Sequence, residues 1–224
     1  MVENRYSTPP AGHGRALTVA LSILAVLLAA VAVLSWMALH DPYAGKGLDS
    51  VAPSDAAVKQ LMQSAVTGKE CSFTADQTNG LLSYLMQKYK KSANVSGSGI
   101  QSAAVASASG NSADLYVPVR YRGRMFGVLL RVTPALSSDG TKLEFRVDSA
   151  RVGVLLVPKG WLLKAAAKKL PEDFTLEGDT VSCPCPSLTL SVLNFSGTVK
   201  IASMSMKDGM LKIGAKAALS VTGG

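Results

Sequence analysis

Three cysteines are the most reactive side chains in this chain. Cys183 and Cys185 are separated by a single proline, too close for an easy bond between them, so we predict a disulfide from Cys71 to one of the two in an oxidising compartment. A metal site would need further ligands, and both histidines, His13 and His40, lie outside the body of the domain. We therefore expect structural cysteines, no metal site and no cofactor.

Motifs for hydrolysis and for nucleotide chemistry are missing from the sequence. It contains no Gly-x-Ser-x-Gly elbow, Walker loop or Rossmann fingerprint, and the domain body has no histidine to act as a general base. Asp139 and Asp208 each precede a turn glycine, whereas Glu144 alternates with apolar residues along a strand. Paired-carboxylate catalysis is the lesser alternative, and we predict that the protein is not an enzyme.

Arginines are concentrated on predicted hairpin strands. Period-two alternation places Arg120 and Arg122 on one strand face, together with Tyr116, and we expect this face to be solvated. Such a face serves either solubility and edge protection or the attraction of an anionic lipid or polymer. The predicted basic face consists of Arg120, Arg122, Arg124, Arg131 and Arg146.

The element that would position these groups is the longest uncharged stretch, residues 16–39. As a helix it would reach about 36 Å, enough to cross a hydrocarbon core of about 30 Å. Arg5 and Arg15 precede it, whereas Asp41 and Asp49 follow it, so we predict a cytoplasmic N-terminus. The alternative is a cleaved signal peptide, whose apolar region usually spans only about 7–15 residues.

This span divides the chain into a cytoplasmic tail (1–15), a transmembrane anchor (16–39), a linker (40–53) and an extracytoplasmic domain (54–224). We predict a single-pass protein of the cell membrane with its domain outside. Of 23 basic and 15 acidic residues, only Arg5, Arg15 and Glu3 precede the end of the anchor, so the rest of the chain carries a net charge of +7. That charge favours anionic lipid headgroups as partners, and the compartment disfavours nucleic acid.

Periodicity predicts the elements of the domain. Apolar residues at helical spacing predict a helix over 54–67 that stops at Gly68, and a capping box of Thr74 and Gln77 opens a second helix. Hairpin strands follow, and a third helix over 158–170 has Trp161 and Leu162 on its apolar face. The predicted fold is α+β, an N-terminal transmembrane helix followed by a curved antiparallel sheet packed on two or three helices.

Large apolar side chains of the helices and strands are the candidate lipid contacts. The strand region 96–112 is rich in Ser, Ala and Gly, so we expect the sheet to leave an apolar groove beside a helix. The alternative is that the same side chains form ordinary core. The candidates are Leu81, Leu85, Met86, Phe126, Leu130, Phe145, Trp161 and Leu162.

Two segments resemble known envelope proteins. Residues 73–82, FTADQTNGLL, open a helix, and residues 150–158, ARVGVLLVP, follow long meander strands and lead into another helix. With a short N-terminal anchor, this order resembles the YpmS family of single-anchor envelope proteins and, more widely, tubular lipid-binding (TULIP-like) domains. The resemblance implies a curved sheet around a helix, lipid binding and a noncatalytic role in the envelope.

We therefore expect a membrane-anchored extracytoplasmic lipid-binding domain that acts as an envelope carrier or sensor. The alternative is a structural or scaffolding protein that binds an envelope protein through its sheet edge or its basic face. A carrier would have an apolar cavity of several hundred Å³ between its helices and its sheet, as small-ligand sites usually do. A scaffold would not need one.

Overall fold

The computed structural model describes residues 13–48, 50–90, 102–168, 170, 173–185, 188–192 and 195–221, so most of the predicted tail lies outside the described residues. The first element, helix α1 (His13–Leu39), contains the predicted anchor and ends at the same residue. Its Ser22–Leu39 part contains no buried residue and is long and apolar enough to cross a membrane, a property that signal sequences share.

Three further helices follow α1, namely α2 (Ala56–Thr67), α3 (Ala75–Lys90) and α4 (Lys159–Ala167). Helix α2 stops at Gly68 as predicted, because a φ of 69° lets the Gly68 amide turn back and donate to the Ser64 carbonyl at 2.8 Å. The capping box is also confirmed. The Gln77 amide donates to Thr74 Oγ1 at 3.3 Å, and the Thr74 amide donates to Gln77 Oε1 at 3.0 Å.

The described strands form two antiparallel sheets. In chain order they are β1 (Cys71–Phe73), β2 (Ala104–Ser109), β3 (Ser112–Tyr121), β4 (Arg124–Leu136), β5 (Lys142–Val152), β6 (Leu155–Val157), β7 (Thr175–Glu177), β8 (Thr180–Pro184), β9 (Leu188–Val192), β10 (Phe195–Lys207) and β11 (Met210–Val221). The four-stranded sheet has the order β1-β11-β10-β9. The seven-stranded sheet has the order β2-β3-β4-β5-β8-β7, with β6 paired to β5. The α+β class is thus confirmed, although the sequence predicted one sheet.

Two-residue turns set the register of the longest hairpins. The turn between β10 and β11 is formed by Asp208 and Gly209, as predicted, with φ of 54° and 73°. The turn between β3 and β4 is formed by Arg122 and Gly123, with φ of 48° and 79°. Two consecutive positive φ angles give a turn whose twist matches that of the flanking strands.

The hydrophobic core has three parts, of which the third joins Val105 and Ala113 of the seven-stranded sheet to Met206 of β10. In the first, α2 and α3 pack on the four-stranded sheet around Phe73, which is 0% exposed, and Val199. In the second, Leu163 of α4 packs on Val132 and Val147 of the seven-stranded sheet. The prediction that Trp161 lies on the apolar face of this helix was therefore wrong, because Leu163 is the buried residue and Trp161 is 66% exposed.

A buried amide joins α3 to the seven-stranded sheet. Asn79 Nδ2 donates to the Val105 carbonyl at 3.0 Å, and Asn79 Oδ1 accepts from the Val105 amide. Both bonds use backbone groups of β2, which among the described strands pairs with β3 alone and forms an edge. The side chain therefore satisfies polar groups that would otherwise be buried without a partner.

Replacing Phe73 with alanine tests the first core part. Because the ring is completely buried, Phe73→Ala is expected to lower the free energy of unfolding by about 3–5 kcal/mol through lost burial and the cavity it leaves. Chemical unfolding of the full chain in detergent measures it. The control is Val66→Ala, in an exposed position of α2, which should change stability by less than about 0.5 kcal/mol. Equal effects of the two substitutions would contradict this core.

Candidate functional site

The C-terminal end of α1 lies directly on the seven-stranded sheet. The Val154 amide donates to the Met37 carbonyl at 3.1 Å, and the Gly153 amide donates to the Gly127 carbonyl at 2.8 Å. The first bond joins the anchor to the turn between β5 and β6. The second keeps that turn beside β4, so the anchor end meets two strands at once. We call this contact the anchor junction.

Two glycines allow the anchor junction to form. A Cβ atom on Gly153 would lie 2.5 Å from the Met37 carbonyl oxygen and 2.7 Å from that of His40, and its φ of +59° is one that side chains disfavour. A Cβ atom on Gly127 would overlap the carboxylate of Asp41. At Gly153 only glycine leaves room for the backbone at the end of α1, whereas at Gly127 a larger residue would displace the Asp41 side chain.

Asp41 extends the anchor junction onto β3. Its Oδ2 accepts a hydrogen bond from the Tyr116 hydroxyl at 2.6 Å, and its Oδ1 accepts one from the Tyr43 amide at 2.9 Å. The two tyrosine rings lie 5.6 Å apart at 44°. The sequence predicted a solvated Tyr116, but its side chain is buried because this segment covers it.

The five arginines of the predicted basic face do not form one surface. Arg120, Arg122 and Arg124 are exposed around the turn between β3 and β4. Arg131, farther along β4, donates to the Ser109 hydroxyl at 3.0 Å. Three of the five therefore form a group, at the end of the sheet nearest Gly127.

Arg146 belongs to a separate polar network on β5. Its Nε donates to Asp148 Oδ1 at 3.1 Å, and Thr133 Oγ1 donates to Asp148 Oδ2 at 2.8 Å. Burial acts to raise the pKa of Asp148, but hydrogen bonds from Thr133, Arg146 and Ser112 hold that pKa below its ordinary value. The carboxylate thus neutralises Arg146 locally.

The candidate lipid contacts are distributed over separate parts of the fold. Leu81 is buried in the first core part, and Phe145 packs against the same part. Leu130 packs on the second, around Leu163. Trp161 is exposed, and the side chain of Leu85 lies outside the described residues. The half-buried candidates are Met86, Phe126 and Leu162.

Two clefts open on the surface of the described residues. One, of about 320 Å³, lies between the turn joining β4 to β5 and the strands β10 and β11, where Lys200 and Lys216 line it. The other, of about 450 Å³, lies between Thr133 of β4 and Lys207 of β10. None of the eight candidate lipid contacts lines either cleft. A lipid-binding surface built from these two clefts would therefore use other residues than those predicted.

All three cysteines are free thiols, so the structure does not contain the predicted disulfide. The Cys71 thiol, on β1, donates to the Ile213 carbonyl at 3.2 Å, whereas Cys183 lies on β8 of the other sheet. Burial, with a smaller effect of the neighbouring Cys185, raises the pKa of Cys183 to about 11. Burial also raises the pKa of Cys71 and Cys185.

Comparison with known proteins gives no relative. No protein-family model, curated protein or solved structure significantly matches this chain. The likeness to YpmS-like and tubular lipid-binding domains therefore stays a prediction.

Replacing Gly153 with alanine tests the anchor junction. The added methyl group would collide with the carbonyls of Met37 and His40, so Gly153→Ala is expected to separate the end of α1 from the sheet. Hydrogen exchange of the Val154 amide should accelerate, because its acceptor is lost. The control is Gly160→Ala in α4, where a methyl group meets nothing within 4 Å and exchange at Val154 should not change. Slow exchange in both variants would contradict the junction.

Alkylation of the native chain tests the state of the thiols. With a pKa of about 11, Cys183 is only about 0.1% thiolate at pH 8 and should react about 100-fold more slowly than in the unfolded chain. Peptide mapping after timed labelling measures both rates. After unfolding without reductant, all three cysteines should carry the label. Recovery of a disulfide-linked peptide containing Cys71 would contradict the structure.

Proposed function

We propose that this protein is a membrane-anchored, noncatalytic lipid-binding domain of the cell envelope. In this proposal α1 is an uncleaved anchor in the cell membrane, the N-terminus is cytoplasmic and the domain lies outside. The observation that carries the proposal is the anchor junction, because Gly153 and Val154 hold the sheet at the point where α1 ends.

The anchor junction supports a particular place for contact between the domain and lipid. Since α1 ends at Leu39 and contacts the sheet from Met37, less than one helical turn separates the end of the apolar span from β4 and β5. Polar backbone at that point lies within the headgroup region of a bilayer whose core the helix spans. The sheet would therefore be held at the membrane surface rather than at the end of a free tether.

The packing of the predicted contacts favours a lipid site on the surface of the sheet over one inside it. Leu81, Leu130 and Phe145 already pack in two different core clusters. The net positive charge of the chain after the anchor suits phospholipids with anionic headgroups. We therefore place lipid binding outside the core, beside the anchor.

A scaffolding role is the second candidate function. Within the part of the chain that the structure describes, β7 pairs with β8 alone and forms one edge of the seven-stranded sheet. An edge strand offers backbone groups to which a partner strand can bond. In that role the domain would bind an envelope protein at β7 and would not bind lipid.

Photocrosslinking in lipid nanodiscs tests the proposed function. The full chain is reconstituted with a phospholipid that carries a diazirine on its acyl chain, irradiated and mapped by peptide mass spectrometry. We expect crosslinks in residues 104–168 as well as in α1. The variant for comparison is Gly153→Ala, which should weaken the crosslinks in the domain and leave those in α1 unchanged. Crosslinks confined to α1 in the wild-type chain would exclude lipid binding by the domain.

A further inference from the structure

Two turns project from the seven-stranded sheet beside the anchor junction. Gly127 pairs with Pro118 and bonds to Gly153, so the turn joining β3 to β4 and the turn joining β5 to β6 lie at the same end of the sheet. The end of α1 contacts this same end, at Gly153 and Val154. We call it the anchor-side end and define it by residues 119–125 and 151–156.

The anchor-side end exposes large apolar side chains. Tyr121 is 60% exposed, Met125 42% and Leu156 65%. Met125 shares a strand face with Gly127, and Leu156 is paired with Arg151 on that same face, where the anchor ends. Exposed apolar residues grouped beside an anchor mark a binding surface more often than scattered single ones do.

The strand ends and turns of this region are basic. Residues 119–125 and 151–156 contain four arginines and no acidic residue, and the carboxylate of Asp41 lies beside them over Gly127. The ion pairs among the described residues are Lys59–Asp55, Arg146–Asp148 and Lys159–Asp179, so the arginines of the anchor-side end take part in none of them. The Arg122 guanidinium instead lies 5.4 Å from the centre of the Tyr121 ring.

Arg122 occupies a position that turn formation alone would give to another residue. Its φ of 48° lies in the left-handed region, where this turn type favours asparagine, aspartate or glycine. A long cationic side chain at that position does not help the turn. It does place a guanidinium at the outermost point of the hairpin.

The geometry points to the anchor-side end as a docking surface for the bilayer in which α1 is anchored, with anionic phospholipid headgroups as the ligand. Arg120, Arg122 and Arg124 would bind the phosphates, while Tyr121 and Met125 enter the boundary between headgroups and acyl chains. This inference rests on the proposed function and names its site. A bilayer is favoured over a protein partner because the chain's own anchor brings it to this surface.

Hydrogen exchange in nanodiscs of two compositions tests the inference. The full chain is reconstituted in phosphatidylcholine alone, or with about one-third phosphatidylglycerol. Amides of residues 119–125 should exchange about fivefold or more slowly in the anionic discs, since each basic residue near such a surface adds roughly that factor to binding. Raising the salt from about 0.1 M to about 1 M shortens the Debye length from about 10 Å to about 3 Å and should remove the difference.

A triple variant and a matched control make the test specific. Arg120→Gln, Arg122→Asn and Arg124→Gln together should restore the exchange rate measured in neutral discs. The control combines Lys200→Gln and Lys216→Gln. It removes two cations at opposite positions of β10 and β11 in the other sheet, and it should leave the protection unchanged. Arg122→Asn suits the positive φ, so the triple variant should keep or raise its melting temperature in detergent. A well-folded variant that retains the protection would overturn the inference.

The two lipid experiments separate this inference from the proposed function. Equal exchange in neutral and anionic discs, together with acyl crosslinks in the domain, would overturn this docking surface and leave lipid binding supported. Equal exchange with crosslinks confined to α1 would overturn both. Protection that depends on anionic lipid and on the three arginines supports the docking surface.

Discussion

The close approach of the backbone at the end of α1 to Gly153 is the constraint on which the placement of the domain depends. Three carbonyls at the end of the helix face Gly153, and the carboxylate of Asp41 fills the space above Gly127. A side chain at Gly153 would force the end of α1 and the sheet apart, and one at Gly127 would displace the Asp41 carboxylate. This contact holds the end of α1, a helix that the sequence identifies by its apolar composition alone, against β4 and the turn after β5. Because of this contact, the exposed arginines and apolar residues of the anchor-side end lie beside the end of α1.

Local signals in the sequence predicted the local structure well. The capping box of Thr74 and Gln77, the stop at Gly68 and the turn at Asp208 each depend on interactions within a few residues. Such interactions are complete in the sequence itself, so their types and spacing are sufficient. The α+β class followed for the same reason, because helical and strand periodicities occupy separate stretches of the chain.

Contacts between distant segments were not predictable in this way. Nothing in the periodicity of the sequence marks Gly127 of β4 or Gly153 of the turn after β5, because the segment that each of them faces lies more than 80 residues earlier in the sequence. Tyr116 alternates with arginines and yet is buried by that same segment. Spacing placed Trp161 on the apolar face of its helix, although the residue that this nine-residue helix buries is Leu163. The alternation of polar and apolar residues separates the two faces of a strand. It does not show which of the two faces a distant segment covers.

The buried amide of Asn79 has a consequence for self-association. By bonding to both the amide and the carbonyl of Val105, it occupies the outward groups of β2 that a foreign strand would need for pairing. The Asn79 side chain therefore bonds to Val105 as a neighbouring strand would, and it blocks this point of the sheet edge. A second copy of the chain would therefore find the amide and the carbonyl of Val105 already bonded, which disfavours edge-to-edge pairing at that point.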